Sequence, residues 1–169
     1  MKLSSRLKPH EVLAAAVKSE IDAAGLYAAL KNKVRSRLLL RKLDFLIFEE
    51  GKHRKILERL YAQRFAGRPL VLPKASFLPA SLRVNPARLG VPRLFRTALK
   101  AEKYSEKFYL AARASTRDAA SRKILEYLSR VERSHYFLIQ SEIDLLERFP
   151  DSYKVEEAHL GEDLVHVGP

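Results

Sequence analysis

Apolar residues recur along this chain at the spacing of α-helices, in four long segments. In the second and fourth segments, steps of three and four residues alternate, which is typical of helices that face the core of a bundle. The inward row predicted for the second helix, residues 37–65, is Leu39, Leu43, Leu46, Glu50, His53, Leu57 and Leu60. The inward row predicted for the fourth helix, which Pro150 ends, is Leu125, Leu128, Glu132, His135, Ile139, Glu142 and Leu146.

The other two helices are predicted from the same periodicity and from residues that favour helix ends. The first runs over residues 9–32, where a proline and an acid suit the first turn. Its predicted apolar row is Leu13, Val17, Ile21, Ala24, Ala28 and Leu30. The third helix runs over residues 92–115, and Thr116 is predicted as the N-cap of the fourth.

Residues 66–91 break the helical pattern with prolines and glycines and are predicted as a crossover connection. About 26 extended residues reach roughly 85 Å, whereas a helix of about 29 residues is only about 43 Å long. The connection can therefore travel the length of the bundle. The sequence predicts an all-α four-helix bundle, made of two helical hairpins, as one domain over residues 1–149. Residues 150–169 are predicted as an acidic C-terminal tail.

Composition narrows the chemistry that such a bundle can carry. The chain has no cysteine, which excludes disulfides, thiolate catalysis, Cys-ligated zinc and iron–sulfur centres within it. The N-terminus lacks a long apolar stretch, and no segment approaches the roughly 18 apolar residues of a membrane span. We therefore expect a soluble, cytoplasmic protein without a transmembrane segment.

The formal net charge is +12, but it is unevenly distributed. Residues 150–169 carry five acids and one base, a net of −4, so the rest of the chain carries +16. A basic body of this kind is compatible with nucleic acid or an anionic membrane surface as a partner. Basic helical faces are usually just solvated, so nucleic-acid binding is the weaker hypothesis.

Acids and histidines interrupt the apolar rows at matching places in the two predicted hairpins. In the first hairpin, an acid is followed by a tyrosine at +7, a second acid at +30 and a histidine at +33, and the second hairpin repeats this set 82 positions later. The four pairs are Glu20 and Glu102, Tyr27 and Tyr109, Glu50 and Glu132, and His53 and His135. Each glutamate pair lies about 15 residues, or roughly 22 Å, from its own turn, which places both acids of a hairpin at one height.

This repeat has the donor types and the spacing of a site for two metal ions. A Glu and a His three positions apart share a helix face, so both can approach one ion, and one Glu from each of the other helices completes the set. Without metal, four acids among apolar residues would be costly to desolvate or would stay protonated. A single Glu and His three positions apart on a helix are usually a solvated surface pair. Two such pairs at the same offset, each with a Glu 30 residues earlier, favour metal binding instead. The predicted metal ligands are Glu20, Glu50, His53, Glu102, Glu132 and His135.

From about Val12 to Leu146 the chain resembles the rubrerythrin family of the ferritin-like superfamily. The resemblance is carried by SEIDAAGLY and EEGKHRKILERL in the first half and by KAEKYSEKFY and VERSHYFLIQ in the second. It implies a ferritin-like bundle that binds two ions, chiefly iron, with manganese or zinc as alternatives in a purified sample. It also implies roles for the ligands: Glu20 and Glu102 as terminal ligands, Glu50 and Glu132 as bridging or flanking ligands, and His53 and His135 as the residues that complete the coordination.

The same resemblance implies a di-iron oxidoreductase that reacts with hydrogen peroxide or dioxygen, as a peroxidase or ferroxidase in oxidative-stress defence. The four glutamates would be its catalytic groups, and the hydroxyls of Tyr27 and Tyr109 would be hydrogen-bond partners of these carboxylates, with ordinary core aromatics as the alternative. This sequence lacks the Cys-rich domain of full-length members. Electrons would therefore come from an external donor protein such as a rubredoxin, or from a small reductant. The resemblance also implies a homo-oligomer, at least a dimer.

Some positions depart from the family pattern or are open to two interpretations. Peroxide-reducing members place another carboxylate three residues after the third-helix ligand, and here that position is Ser105, followed by Glu106. Glu106 is predicted to be a surface charge rather than a substitute ligand. Glu142 is predicted to pair with a lysine or arginine near the bundle end rather than to serve the metal site. Three histidines without ligand spacing are assigned no role: His10, His159 and His166.

Two other functions suit the same scaffold. One is a di-iron hydroxylase that acts on a quinone or on tRNA, for which the basic body would be suited. The other is non-enzymatic, namely iron binding or the coating of DNA by a basic ferritin-like protein.

Overall fold

A computed structural model describes residues 8–149 of the chain, and it contains all four predicted helices. They are α1 (Pro9–Lys31), α2 (Arg37–Arg64), α3 (Val91–Ser115) and α4 (Ala119–Arg148). Within these residues there is no β-strand, which confirms the predicted all-α bundle. The predicted acidic tail, with His159 and His166, lies outside the described residues. Among the helices that the structure describes, none is both long enough and apolar enough to cross a membrane.

The helices pair as two hairpins, α1 with α2 and α3 with α4. Val34, in the turn between α1 and α2, belongs to the same buried cluster as Leu94 at the start of α3. At the opposite end, Arg64 of α2 forms an ion pair with Asp118 before α4, with 2.9 Å between Nη1 and Oδ2. The connection from α2 to α3 therefore travels from one end of the bundle to the other, as its length predicts.

The start of α4 differs from the prediction. The N-cap is Asp118, whose Oδ2 accepts a 2.7 Å hydrogen bond from the backbone N–H of Ser121. Thr116, predicted for this role, instead follows α3, and its hydroxyl donates to the carbonyl oxygen of Ala112. The prediction of Thr116 was wrong because a charged carboxylate two residues later offers the stronger acceptor for the first free amides of the helix.

The crossover connection is ordered by its apolar residues although it contains only two short 3-10 turns, Ala80–Leu82 and Pro86–Arg88. Leu78, Leu82 and Leu89 are buried against the bundle. The ring of Phe77 stacks on that of Phe108 of α3, with 3.8 Å between centroids and 4° between planes. The connection is therefore a packed outer layer of the bundle.

Two apolar clusters fill the bundle, one toward each end. The first surrounds Leu30, Leu43 and Leu94, and the second surrounds Val17 and Leu128. Glu50, His53, Glu132 and His135 of the inward rows lie along the helices between these clusters. Both clusters exclude water from the middle of the bundle.

Only part of the predicted apolar row of α1 is buried, namely Val17 and Leu30. Ala28 is exposed, whereas Glu20, Ala23, Tyr27 and Leu30 are buried. This face is rotated by about one residue from the predicted one. The cause is the run of alanines in α1, because alanine is tolerated on any face and leaves the apolar stripe poorly defined.

Candidate metal centre

The structure brings all six predicted ligands together in the middle of the bundle. α1 and α3 contribute one glutamate each, and α2 and α4 contribute a glutamate and a histidine each. All six are buried, with at most 2% of each residue exposed: Glu20, Glu50, His53, Glu102, Glu132 and His135. The spacing of three within α2 and within α4 places Glu and His on one face, because residues three apart are neighbours on a helix.

The six side chains form two overlapping groups, and each could hold a metal ion. In each group, one ligand atom from every residue lies within 4.8 Å of those from the others. The first group is Glu20, Glu50, His53 and Glu132, and the second is Glu50, Glu102, Glu132 and His135. The two groups share Glu50 and Glu132, so two carboxylates lie where they can contact both ions.

The histidines face carboxylates across the boundary between the hairpins. Nδ1 of His53 on α2 lies 3.0 Å from Oε1 of Glu132 on α4, and Nδ1 of His135 on α4 lies 3.1 Å from Oε1 of Glu50 on α2. The two imidazole rings stack, with 5.5 Å between centroids and 20° between planes. The centre therefore has an approximate twofold arrangement that follows the 82-residue repeat.

The donor atoms of this cluster fit a pair of divalent cations. Nine buried oxygen and nitrogen atoms of the six side chains have no hydrogen-bond partner, including both nitrogens of each histidine. The short contacts between histidine and carboxylate atoms therefore lack the alignment of hydrogen bonds. Buried polar atoms are almost always satisfied in proteins, and imidazole with carboxylate suits iron, manganese and zinc. Metal ions would satisfy these atoms.

Burial and mutual repulsion determine the charge state of the metal-free cluster. Burial, followed by the negative charges of Glu20 and Glu102, raises the pKa of Glu50 well above its ordinary value. Burial and neighbouring carboxylates, led by Glu102, do the same to the pKa of Glu132. Burial alone would lower the pKa of His53, but the adjacent carboxylates raise it. Protons therefore occupy this cluster when cations do not.

Two tyrosines bind carboxylates of the opposite hairpin. The hydroxyl of Tyr27 donates to Oε1 of Glu102, and the hydroxyl of Tyr109 donates to Oε1 of Glu20. Burial, followed by the charge of the bonded carboxylate, raises the pKa of each tyrosine well above its ordinary value. Both phenols therefore remain protonated donors, and each orients one oxygen of a candidate ligand.

The remaining acids of the sequence analysis lie outside the two ligand groups. Glu106 is 8% exposed, so the prediction that it is a surface charge was wrong. Its carboxylate pairs with Lys103, at 2.7 Å between Nζ and Oε2, and Ser105 is also buried. Glu142 pairs with Lys42 of α2, which confirms the predicted lysine or arginine partner.

Sequence reasoning missed two residues beside the cluster. Glu49 is buried next to Glu50 and pairs with Lys52 at 2.7 Å. Phe45 is half exposed, and its ring meets that of His135 edge to face at 6.3 Å between centroids. The Glu-Glu doublet was a signal for Glu49, but no sequence pattern marks an exposed aromatic as a neighbour of the histidine.

Fold and site together define a ferritin-like four-helix bundle with a buried carboxylate and histidine cluster that could hold metal ions. The sequence profile of the rubrerythrin family matches residues 11–143. The chain therefore belongs to the rubrerythrin family. No curated protein matches its sequence.

Solved structures share the same fold. A hypothetical protein from Pyrococcus furiosus is 30% identical, with a TM-score of 0.79, over 86% of this chain and 94% of that one. CopM in its Cu(II)-bound form is 11% identical, with a TM-score of 0.68, over 85% of this chain and 98% of CopM. CopM in its Ag-bound form gives 12% identity, a TM-score of 0.63 and the same coverage. At these identities the likeness to CopM is one of fold alone.

Proposed function

We propose that this protein is a di-iron oxidoreductase that reduces hydrogen peroxide or dioxygen in defence against oxidative stress. The observation that carries the proposal is the sharing of Glu50 and Glu132 between two four-residue ligand groups. Shared carboxylates hold two cations close together, which is the arrangement needed for a two-electron reaction with one oxidant. Membership of the rubrerythrin family supports the same assignment.

In this proposal the six side chains divide by position. Glu50 and Glu132 would serve both ions, Glu20 and Glu102 would each be a ligand of one ion, and His53 and His135 would complete one site each. Two bound ferrous ions would supply one electron each to the oxidant, and hard carboxylate oxygens would stabilise the ferric product. Reduction of one peroxide to two waters also consumes two protons.

Two tyrosines and the two apolar clusters determine how the candidate ligands are oriented and how far water is excluded from them. Tyr27 and Tyr109 keep one oxygen of Glu102 and Glu20 directed toward the phenol, which leaves the other oxygen of each, buried and without a partner, for a cation. The apolar clusters on both sides keep bulk water from the ions. Exclusion of water strengthens the electrostatic interactions within the site.

The proposal also needs a source of electrons. Each turnover takes two electrons, and this chain has no cysteine with which to build a thiolate redox centre. We therefore propose an external donor, a protein such as a rubredoxin or a small reductant. A cytoplasmic location and a homo-oligomeric state are parts of the same proposal.

The test is the double variant Glu50→Ala/Glu132→Ala, which removes the two shared carboxylates. After anaerobic loading with Fe(II), elemental analysis should give about two iron ions per parent chain and almost none per variant chain, since both groups lose two of four ligands. The loaded parent should consume hydrogen peroxide in stopped-flow assays, and the variant should not.

A matched control replaces two glutamates outside the cluster, the partly exposed Glu58 and the exposed Glu147, as Glu58→Ala/Glu147→Ala. This control should bind iron and consume peroxide like the parent. The proposed function is wrong if the Glu50→Ala/Glu132→Ala protein consumes peroxide as fast as the parent. Iron binding without any reaction with peroxide or dioxygen would instead favour simple iron storage.

A further inference from the structure

Apart from the metal centre, a cavity lies at the end of the bundle opposite the turn between α1 and α2. It has a volume of about 910 Å³, is open to solvent on one side and is bordered by the first turns of α1, the end of α2 and the beginning of the crossover connection. We call it the crossover pocket, and its lining includes His10, Ala14, Tyr61, Arg68, Leu72 and Phe77. None of the six candidate metal ligands lines it. Its volume lies in the range of pockets that bind small molecules, roughly 300–1,000 Å³.

The wall of the crossover pocket is largely apolar, and part of it is exposed. Ala14 and Ala15 form the side that belongs to α1. Val71 is 73% exposed and Leu72 is 39% exposed, although both line the pocket. Phe77 adds an aromatic ring, whose orientation is fixed by its stacking on Phe108. A flat apolar molecule in the pocket would remove this surface from water, which is favourable in proportion to the area covered.

The polar groups of the pocket are mainly hydrogen-bond donors. Nη1 of Arg68 lies 3.0 Å from Nε2 of His10, and since guanidinium can only donate, the imidazole accepts there and carries its proton on Nδ1. No carboxylate in residues 8–149 forms an ion pair with Arg68. Ser76 is only 7% exposed, and its hydroxyl has no hydrogen-bond partner. This hydroxyl is therefore available to a ligand atom that enters the pocket.

Glu11 and Tyr61, two other polar residues of the pocket wall, each have a hydrogen-bond partner within the chain. The carboxylate of Glu11 accepts the backbone N–H of Lys8 at 2.7 Å, as part of the start of α1. The hydroxyl of Tyr61 donates to the carbonyl oxygen of Pro69 at 3.0 Å. The donors available to a ligand are therefore the remaining N–H groups of Arg68, the N–H of His10 and the hydroxyl of Ser76. This set recognises an anionic acceptor such as a carboxylate.

We propose that the crossover pocket binds a small aromatic anion, with the ring against Phe77 and Leu72 and the anionic group at Arg68. The site is separate from the metal centre but connected to it by contact. Phe77 stacks on Phe108, Phe108 meets Tyr109 edge to face at 5.6 Å between centroids, and Tyr109 bonds Glu20. The pocket and the candidate ligand Glu20 thus share a chain of three aromatic rings.

The test uses 2-naphthoate and its neutral analogue 2-naphthamide as probes of the full chain, by isothermal titration calorimetry. The parent should bind naphthoate with one site and at least about five times more tightly than the amide, because only the carboxylate can pair with a guanidinium. Arg68→Ala should weaken naphthoate binding by about fivefold or more and remove the preference over the amide. Amide NMR shifts caused by naphthoate should concentrate at Gly67, Ser76 and Phe77.

The matched control is Arg88→Ala, an exposed arginine of the same connection that does not line the pocket. It should bind naphthoate like the parent, and circular dichroism should show that both variants keep the parent's helix content. Equal naphthoate affinity in Arg68→Ala and Arg88→Ala, or no binding to the folded parent at millimolar probe, overturns the proposal. Because the titration involves no iron, its result is independent of the test of the di-iron reaction.

Discussion

The two helical hairpins are alike in the middle of the bundle and different toward its ends. Leu46 and Leu128, which are 82 positions apart like the ligands, are both fully buried. Toward one end, by contrast, Lys42 of α2 pairs with Glu142 of α4, and the positions 82 residues away are Ile124 and Leu60. The residues equivalent to this ion pair are thus both apolar at the other end of the bundle.

A second difference lies beside the ligands of α1 and α3. Ser105 and Glu106 follow Glu102 on α3, whereas the corresponding positions of α1 are Ala23 and Ala24. The α3 side of the cluster therefore has a buried hydroxyl and a buried carboxylate that the α1 side lacks. The six candidate ligands are thus matched between the two hairpins, while the residues beside them differ.

The largest effect should come from the equivalent leucines. Leu46→Ala and Leu128→Ala each open a cavity in a fully buried row, so each should lower the free energy of unfolding by about 2–5 kcal/mol. If both hairpins relax around a cavity to the same extent, the two losses in free energy of unfolding should be similar. Urea unfolding of the chelator-treated protein, followed by circular dichroism, measures both.

Leu38→Ala is the control for that pair, since Leu38 lies on α2 but is 54% exposed. Its loss should stay below about 0.5 kcal/mol. A loss below about 1 kcal/mol for only one of the two buried leucines would show that one hairpin relaxes around the cavity and the other does not.

A smaller effect is expected from Tyr27→Phe and Tyr109→Phe. Each removes a phenol that donates to a buried carboxylate of the other hairpin, and the acceptor loses that hydrogen bond without gaining water. The metal-free protein should lose about 1–3 kcal/mol of stability in each case, measured by the same urea titration. Tyr104→Phe, at an exposed position of α3, is the control, and a loss as small as that of the control would mean that the buried phenols do not stabilise the carboxylates.

The sequence predicted the features that depend on regular spacing. Helix periodicity identified the four helices, and the 82-residue offset identified the six side chains that the structure brings together. These predictions succeed because both the fold and the cluster repeat along the chain. Whether the six bind iron, and with which roles, stays a prediction.

The failures occur where the chain gives no periodic signal. The alanine-rich α1 left its inward face undefined, so Ala28 was placed inside although it is exposed. The burial of Glu106 depends on where Lys103 extends along α3, which spacing alone does not determine. The crossover pocket arises from irregular backbone between prolines, and Ser76 acquires its unpartnered hydroxyl only in three dimensions.

The smallest effect tests whether the two shared carboxylates are equivalent in charge. Burial and neighbouring carboxylates raise the pKa of both Glu50 and Glu132 in the folded protein, so between the unfolded and folded pKa values the folded state binds more protons. Stability of the metal-free protein should therefore fall as pH rises above about 4.5, by at most about 1.4 kcal/mol per pH unit for each proton. Glu50→Gln and Glu132→Gln should each flatten that fall to a similar degree, whereas the exposed control Glu147→Gln should not. Melting temperatures in chelator between pH 5 and 8 measure the slopes, and equal slopes in parent and both variants would show that neither carboxylate retains its proton on folding.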